Sequence, residues 1–462
     1  MAEAVIVSLV GIYLMVLANG VHCFEEMTFT LKVPNLQRKQ NLGCHPPEAR
    51  RVKAAIILEM KERGHCSSVS EKRSQRLEQL AQDEHHVRTI QSRIQGEEIP
   101  IRSGMKLETM NYVVSVGLGG QNVSMIVDTG SDLTWVQCQP CDSCYDQQGP
   151  LFQPLSSPSY KSILCNSTTC RTLNPSPGAC ASAANCDYVV NYGDGSYTSG
   201  ELGVEQLSVG GVWITDFVFG CGRNNKGLFG LASGLMGLGR SHLSIVSQTS
   251  STLGGLFSYC LPSPDSGLSG SLVMGNDSYA LFNNNNVSYA TMLSHPDPHL
   301  SSFYILNLTA ITVGGVPLLN ASSSFGKGTL IDSGTVITRL PPSMYRAVRA
   351  EFLRQFSGYP WVARFSILDT CFNLRGYKEV NVPTIRFYFE GEDEEVSMNV
   401  DVSGILYVVK EDASQVCLAL SSLSDEYETP ILGNYQQRNQ RVIYDTNNNR
   451  LGFAANPCTF TT

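Results

Sequence analysis

From Asn111 onward the chain alternates apolar and polar positions in short runs, such as Tyr112-Val113-Val114-Ser115-Val116 and Phe217-Val218-Phe219, divided by Gly, Asn, Ser and Pro. Alternation of period two marks half-buried strands, so the body is predicted to be mainly β. Glycines in Gly117 to Gly120, Gly210-Gly211 and Gly314-Gly315 suit hairpin turns, which need positive φ. No helix or downstream acid turns the first cluster into a dinucleotide fingerprint. The clearest helix of the body is Pro342 to Phe356, with proline at an early helical position. Upstream, Leu77, Leu80, Val87, Ile90 and Ile94 fall on one face at helical spacing, within a charged stretch poor in glycine. Its basic residues are expected to form a solvated face.

Two segments end aliphatic runs in the same way: Asp128-Thr129-Gly130-Ser131 after Met125-Ile126-Val127, and Asp332-Ser333-Gly334-Thr335 after Leu330-Ile331. A carboxylate at the end of a buried strand is costly unless it is paired or hydrogen-bonded, so two in matching contexts point to a facing pair. Two close carboxylates cannot both ionise: one stays an acid and the other a base. Peptide hydrolysis by direct water attack needs that combination. Gly130 and Gly334 would let the loops turn sharply, and Ser131 and Thr335 would bond the outer carboxylate oxygens. Tyr112 to Trp135 and Tyr304 to Thr338 form a weak internal repeat, which predicts two similar β-barrel lobes with the site between them.

These loops resemble the active-site loops of pepsin-like aspartic peptidases, and the similarity covers roughly residues 105 to 458. Trp135 matches the tryptophan that follows the first loop, and Tyr192-Gly193-Asp194-Gly195-Ser196 looks like the flap. In that family the flap tyrosine closes over substrate and hydrogen-bonds the tryptophan. Asp194 departs from the uncharged residue of pepsin and reads as a solvated turn aspartate. Leu235-Met236-Gly237 and Ile431-Leu432-Gly433 are similar to the strands that thread behind each catalytic loop. The resemblance implies an all-β bilobal fold, polypeptide substrates in an extended conformation, no cofactor, no metal, a monomer, and a propeptide that inhibits its own enzyme.

The body has 12 cysteines, Cys138, Cys141, Cys144, Cys165, Cys170, Cys180, Cys186, Cys221, Cys260, Cys371, Cys417 and Cys458, with Cys23, Cys44 and Cys66 upstream. Spacing alone admits a zinc site in the first cluster, but an even count behind a secretory leader favours disulfides. The cluster in 138–186 resembles the cysteine-rich insertion of nepenthesin-like plant aspartic peptidases. Cys371 with Cys417 is the expected bridge of the second lobe; the rest of the pairing stays open. Sequons at Asn122, Asn166, Asn276, Asn286, Asn307 and Asn320 are compatible with secretion.

The apolar stretch Ala4 to Ala18 reads as a signal peptide, being shorter than the roughly 20 residues of a spanning helix. It departs from the usual pattern in carrying Glu3 and no Lys or Arg ahead of it. The expected organisation is a signal peptide over 1–23, a propeptide over 24–104 cleaved between Glu97 and Thr109, and lobes over 105–264 and 265–462. No lipid-anchor tail is read after Pro457. The destination is the apoplast or vacuole, with the chloroplast disfavoured. The first 100 residues carry 13 Lys+Arg and 12 Asp+Glu, leaving 20 against 29. Such an acidic body repels phosphate backbones. Two alternatives remain: a non-catalytic protein- or glycan-binding relative on the same fold, and a DNA-binding relative, since Phe219-Gly220-Cys221-Gly222 to Ser258-Tyr259-Cys260 is also similar to chloroplast-nucleoid DNA-binding plant proteases. Lost catalytic motifs would favour the first; steeply salt-dependent binding by the basic upstream region would mark the second.

Overall fold

The computed structural model describes residues 27–36, 47–52, 55–62, most of 76–91, and 112–458 apart from 174–179, 181–183, 193–195, 228, 264–268, 276–286, 295–297, 319–327, 393 and 455–457. The expected signal peptide and cleavage segment, Cys23, Cys44, Cys66, Gly193, Asp194, Asn276, Asn286 and Asn320 lie outside the described residues. No helix among the described residues is long and apolar enough to cross a membrane.

The alternating segments form strands, and the glycine pairs at 119–120, 210–211 and 314–315 all adopt positive φ, as hairpin turns require. In the first half, Gln121–Asp128 runs antiparallel to Tyr112–Leu118 and carries Asp128 at its end. Gly234–Gly237 then lies between that strand, to which it is parallel, and Trp135–Gln137, to which it is antiparallel. The second half repeats the device. Ile431–Leu432 is parallel to Thr329–Ile331, which leads into Asp332, and pairs antiparallel with Thr338–Leu340 through Arg339. Each aspartate thus leaves a strand locked on its far side by a threaded hydrophobic pair.

Both halves share one apolar core, which includes Val114, Met125 and Phe219 from the first and Ile331, Val348 and Phe387 from the second. Helix Pro342–Gln355 opens with proline at an early position and buries Met344, Tyr345, Val348 and Phe352 on one face.

The upstream region contributes more than a helix. Thr28–Lys32 pairs antiparallel with Glu379–Pro383 at the edge of the second half. Ala55–Glu62 is an interior strand of the main sheet: it runs antiparallel to Gly270–Met274 on one side and meets Tyr112–Val113 on the other. Ala55, Ile56, Leu58 and Met60 are fully buried there. The expected lobe junction around Ser258 to Gly275 is a hairpin of that sheet, Leu256–Cys260 against Gly270–Met274.

The twelve cysteines of the body pair as 138–221, 141–144, 165–180, 170–186, 260–458 and 371–417. Fully oxidised, they leave no thiolate to ligate zinc.

Candidate active site

Asp128 and Asp332 are 3% and 1% exposed, so each must find its partners within the protein. The backbone N–H of Gly130 donates to Asp128 Oδ1 over 2.8 Å, and that of Gly334 donates to Asp332 Oδ1 over 2.9 Å. The Ser131 hydroxyl donates to Asp128 Oδ2, and the Thr335 hydroxyl donates to Asp332 Oδ2 over 2.6 Å. The two loops therefore hold their carboxylates with matching glycine and hydroxyl donors, and Asp332 also accepts the Thr335 N–H over 3.0 Å. They also face each other closely. A methyl group built on Gly130 would lie 2.9 Å from Asp332 Oδ1, and one on Gly334 would clash with Asp128, so only glycine fits at either crossing.

The loops are tied by a reciprocal exchange. Thr129 N–H donates to Ser333 Oγ over 3.0 Å, and Ser333 N–H donates to Thr129 Oγ1 over 2.9 Å. Both residues are buried.

Two residues of the expected flap, Trp135 and Tyr192, are brought together. Trp135 Nε1–H donates to the Tyr192 hydroxyl over 2.6 Å, and Tyr192 N–H donates to Ser196 O over 2.8 Å, at the end of the antiparallel pairing of Asp187–Asn191 with Tyr197–Glu201. Phe229, which sequence reasoning missed, meets Trp135 edge-on at 4.8 Å and Tyr192 at 5.5 Å between ring centroids. Tyr145 adds a fourth ring at 5.3 Å from Phe229. Of the described sequons, Asn122 and Asn166 are exposed, whereas the Asn307 amide donates to Glu390 over 2.7 Å.

The upstream helical segment reaches the same site. His86 Nε2 lies 2.9 Å from Asp332 Oδ2. One helical turn earlier, Asp83 is fully buried against Arg339, with Asp83 Oδ2 to Arg339 Nη2 at 2.8 Å. Asp83 also accepts the backbone N–H groups of Val336 and Ile337. Arg76 donates to Val409 O over 2.8 Å, and Gln91 exchanges two hydrogen bonds with Thr429. Leu80, Val87 and Ile90 are buried, but Leu77 at the segment's start is about half exposed and buried Arg76 takes the inward place. The expected solvated basic face is thus only partly present: Arg88 is exposed, while Arg76 is buried. The apolar stripe held the missed signal, because Asp83 and His86 fall on it three and six positions after Leu80.

Charge follows from this packing. Burial, then the neighbouring Asp332 carboxylate, push the Asp128 carboxyl up to about 6. Burial also works to raise Asp332, but the hydrogen bond and charge of His86, with the Thr335 hydroxyl, outweigh it and hold that carboxyl below its ordinary value. Burial disfavours the charged His86 ring, yet the hydrogen bond and charge of Asp332, with Asp128 and Asp83, push its pKa up to about 9. With the segment docked, an imidazolium donates to an ionised Asp332 while Asp128 is the first carboxyl to take a proton. The pair is arranged as one acid and one base, with a cation over it.

Comparison with known proteins adds to this geometry. The family profiles described as xylanase inhibitor N-terminal and xylanase inhibitor C-terminal match residues 112–276 and 303–455. An aspartyl protease family protein of Arabidopsis thaliana is 40% identical over 463 residues, covering 95% of each chain. The aspartyl protease AED1 of the same plant is 36% identical over 93% of this chain and 92% of its own. Nepenthesin-1 of Nepenthes gracilis is 35% identical over 79% of this chain and 80% of its own. Among solved structures, the soybean basic 7S globulin superposes with a TM-score of 0.59 at 19% identity, covering 75% of this chain and 92% of its own, a likeness of fold. With both halves matched and one relative aligned along nearly its whole length, the chain belongs to the pepsin-like aspartic protease family, in its nepenthesin-like plant branch.

Proposed function

We propose that this chain is the zymogen of a secreted aspartic endopeptidase that hydrolyses peptide bonds at acid pH. The observation that carries the reading is the matched pair Asp128 and Asp332, each held by the glycine N–H and the hydroxyl of its own loop and joined through Thr129 and Ser333. One ionised carboxylate takes a proton from a water as its oxygen attacks the peptide carbon. The protonated partner donates to the carbonyl oxygen, giving a neutral tetrahedral diol. The carboxyl that took the water's proton then protonates the amide nitrogen while the other carboxylate takes a proton from a diol hydroxyl, so the C–N bond breaks into acid and amine and the pair again holds one proton. Which aspartate holds the proton once the upstream segment has gone is a property of the pair.

Secretion to the apoplast or vacuole is supported by the Ala4 to Ala18 stretch and by six disulfides in the body. The zymogen reading is supported by His86, which occupies the place where attacking water and substrate must meet Asp332. The proposed substrates are polypeptides, and the proposed working form is a monomer without metal or cofactor.

The test is hydrolysis of a denatured protein from pH 2 to 8 by the acid-treated chain, beside Asp128→Asn and with pepstatin. Acid-dependent cleavage abolished by both is expected. No cleavage by folded, processed, disulfide-intact protein would overturn the reading in favour of a binding role like that named for the inhibitor profiles.

A further inference from the structure

Arg339 is a guanidinium in the protein interior beside the catalytic loop. Its side chain is fully buried, and among the described residues its carboxylate partners are Asp83 at 2.8 Å and Glu84 at 3.4 Å, both from the upstream helical segment. One Nη–H donates to Ile337 O over 2.9 Å, while the buried Nε has no partner among the described residues. The Asp83 carboxylate in turn is received by three donor groups at once: Arg339 and the N–H groups of Val336 and Ile337. Val336 and Ile337 follow Thr335, which bonds Asp332, and Arg339 lies in the strand Thr338–Leu340 that comes next. The receptor is therefore fixed rigidly to the second catalytic loop.

We propose that Arg339 and the N–H groups of Val336 and Ile337 form a carboxylate-binding subsite of the processed enzyme, filled in this chain by Asp83 and serving there to select polypeptide substrates with an acidic side chain near the scissile bond. This rests on the peptidase reading above. When the helical segment leaves, Asp83 and Glu84 leave with it, and the guanidinium loses both counter-charges. A buried guanidinium without a counter-charge is costly, so an incoming carboxylate relieves what a neutral side chain leaves in place. An amide isostere offers one acceptor oxygen and no charge where the subsite holds two amides and a cation.

The position is within a substrate's reach. Asp83 stands one helical turn from His86, about 5 to 6 Å along the helix face, and His86 contacts the dyad. An extended substrate advances about 3.3 Å per residue, so the selected side chain belongs to a residue within a few positions of the cleaved bond.

The experiment uses the processed protein and peptides that differ only in Asp against Asn, or Glu against Gln, at each of the positions around the cleaved bond. At one position the acidic form is expected to be cleaved with kcat/KM at least about tenfold higher. Arg339→Gln is expected to bring that ratio close to one and Arg339→Lys to keep part of it, with the amide peptide as internal control for folding. A flat profile in the wild-type protein, or a preference that survives Arg339→Gln, overturns the assignment. The same peptides with the scissile bond reduced report binding without catalysis. Tighter binding of the acidic form upholds the subsite even in a protein that cleaves nothing, whereas equal binding of acid and amide forms overturns it whether or not the protein is active and whether or not the variants fold.

Discussion

Thr129 and Ser333 each donate a backbone N–H to the other's hydroxyl, so the two aspartate loops are joined by a pair of hydrogen bonds in the interior. Ser333→Ala leaves the Thr129 N–H buried without its acceptor, at a cost of about 1–3 kcal/mol. It also frees one loop to shift against the other, and misplacement on the ångström scale lowers turnover by up to about 10²-fold. Thermal unfolding and a steady-state analysis check this: the expected outcome is a lower Tm with the loss in kcat rather than KM.

The docked helical segment is held in part by the titrating groups around His86. His86, raised from 6.5 to about 9, contributes stability that is fully present below 6.5 and lost as pH rises through 9. Asp332 is held below its ordinary 3.8, so its contribution is present above that value and lost as pH falls further. Asp128, raised to about 6 by burial and by Asp332, adds to the attraction for the His86 cation when ionised, and that part fades as pH falls through about 6. Protection of the backbone amides of residues 83–91 of the full chain, corrected for the intrinsic pH dependence of hydrogen exchange, is expected to be highest near about pH 6 and lower on both sides. Protection that stays the same from about pH 6 to pH 9 would contradict this.

His86→Ala removes the cation from Asp332. Loss of the shift just described corresponds to on the order of 3 kcal/mol of docking free energy. The variant is expected to process itself at a pH where the wild-type chain stays intact, as followed by the length of the chain on a denaturing gel.

Tyr192→Phe deletes the acceptor of the Trp135 indole and keeps the ring against Phe229. A lost hydrogen bond of this kind costs about 1–2 kcal/mol, or roughly tenfold in kcat/KM, with small effect on the fold because Tyr192 is only partly buried. Loss of stability equal to the loss of activity would argue for a packing role alone.

Replacing Cys138 and Cys221 together by alanine is expected to destabilise the protein by about 2–5 kcal/mol, and far more than replacing Cys141 and Cys144. The first bridge closes a span of 83 residues within the core, whereas the second closes a span of 3 at the surface. Denaturant unfolding of the two double variants makes the comparison.

The parts of this site that could be read in the sequence are the ones whose chemistry is local. Asp128-Thr129-Gly130 and Asp332-Ser333-Gly334 announce themselves because the donors that hold each carboxylate sit within three residues of it. The partners of Asp83 and His86 lie in another part of the chain, and a charged helix face without its partner looks the same as a solvated one. Ala55–Glu62 was missed for a related reason. Its apolar run marks a buried segment, but nothing local says that it fills a gap between Gly270–Met274 and Tyr112–Leu118. Phe229 likewise joins the flap cluster only through the fold.

That inserted strand also governs how the chain can be made. Met60 pairs with Gly270, so one of the earliest strands to leave the ribosome has its main partner some two hundred residues downstream. At about 5–20 residues per second the wait is roughly 10 to 40 s, during which an apolar strand has an unpaired edge. Pairing so distant in sequence is slow to form even on a complete chain. Ala55–Glu62 therefore sets the order of events during synthesis: the central sheet closes last, and a chain interrupted before Met274 is left with its stickiest segment open to any other strand.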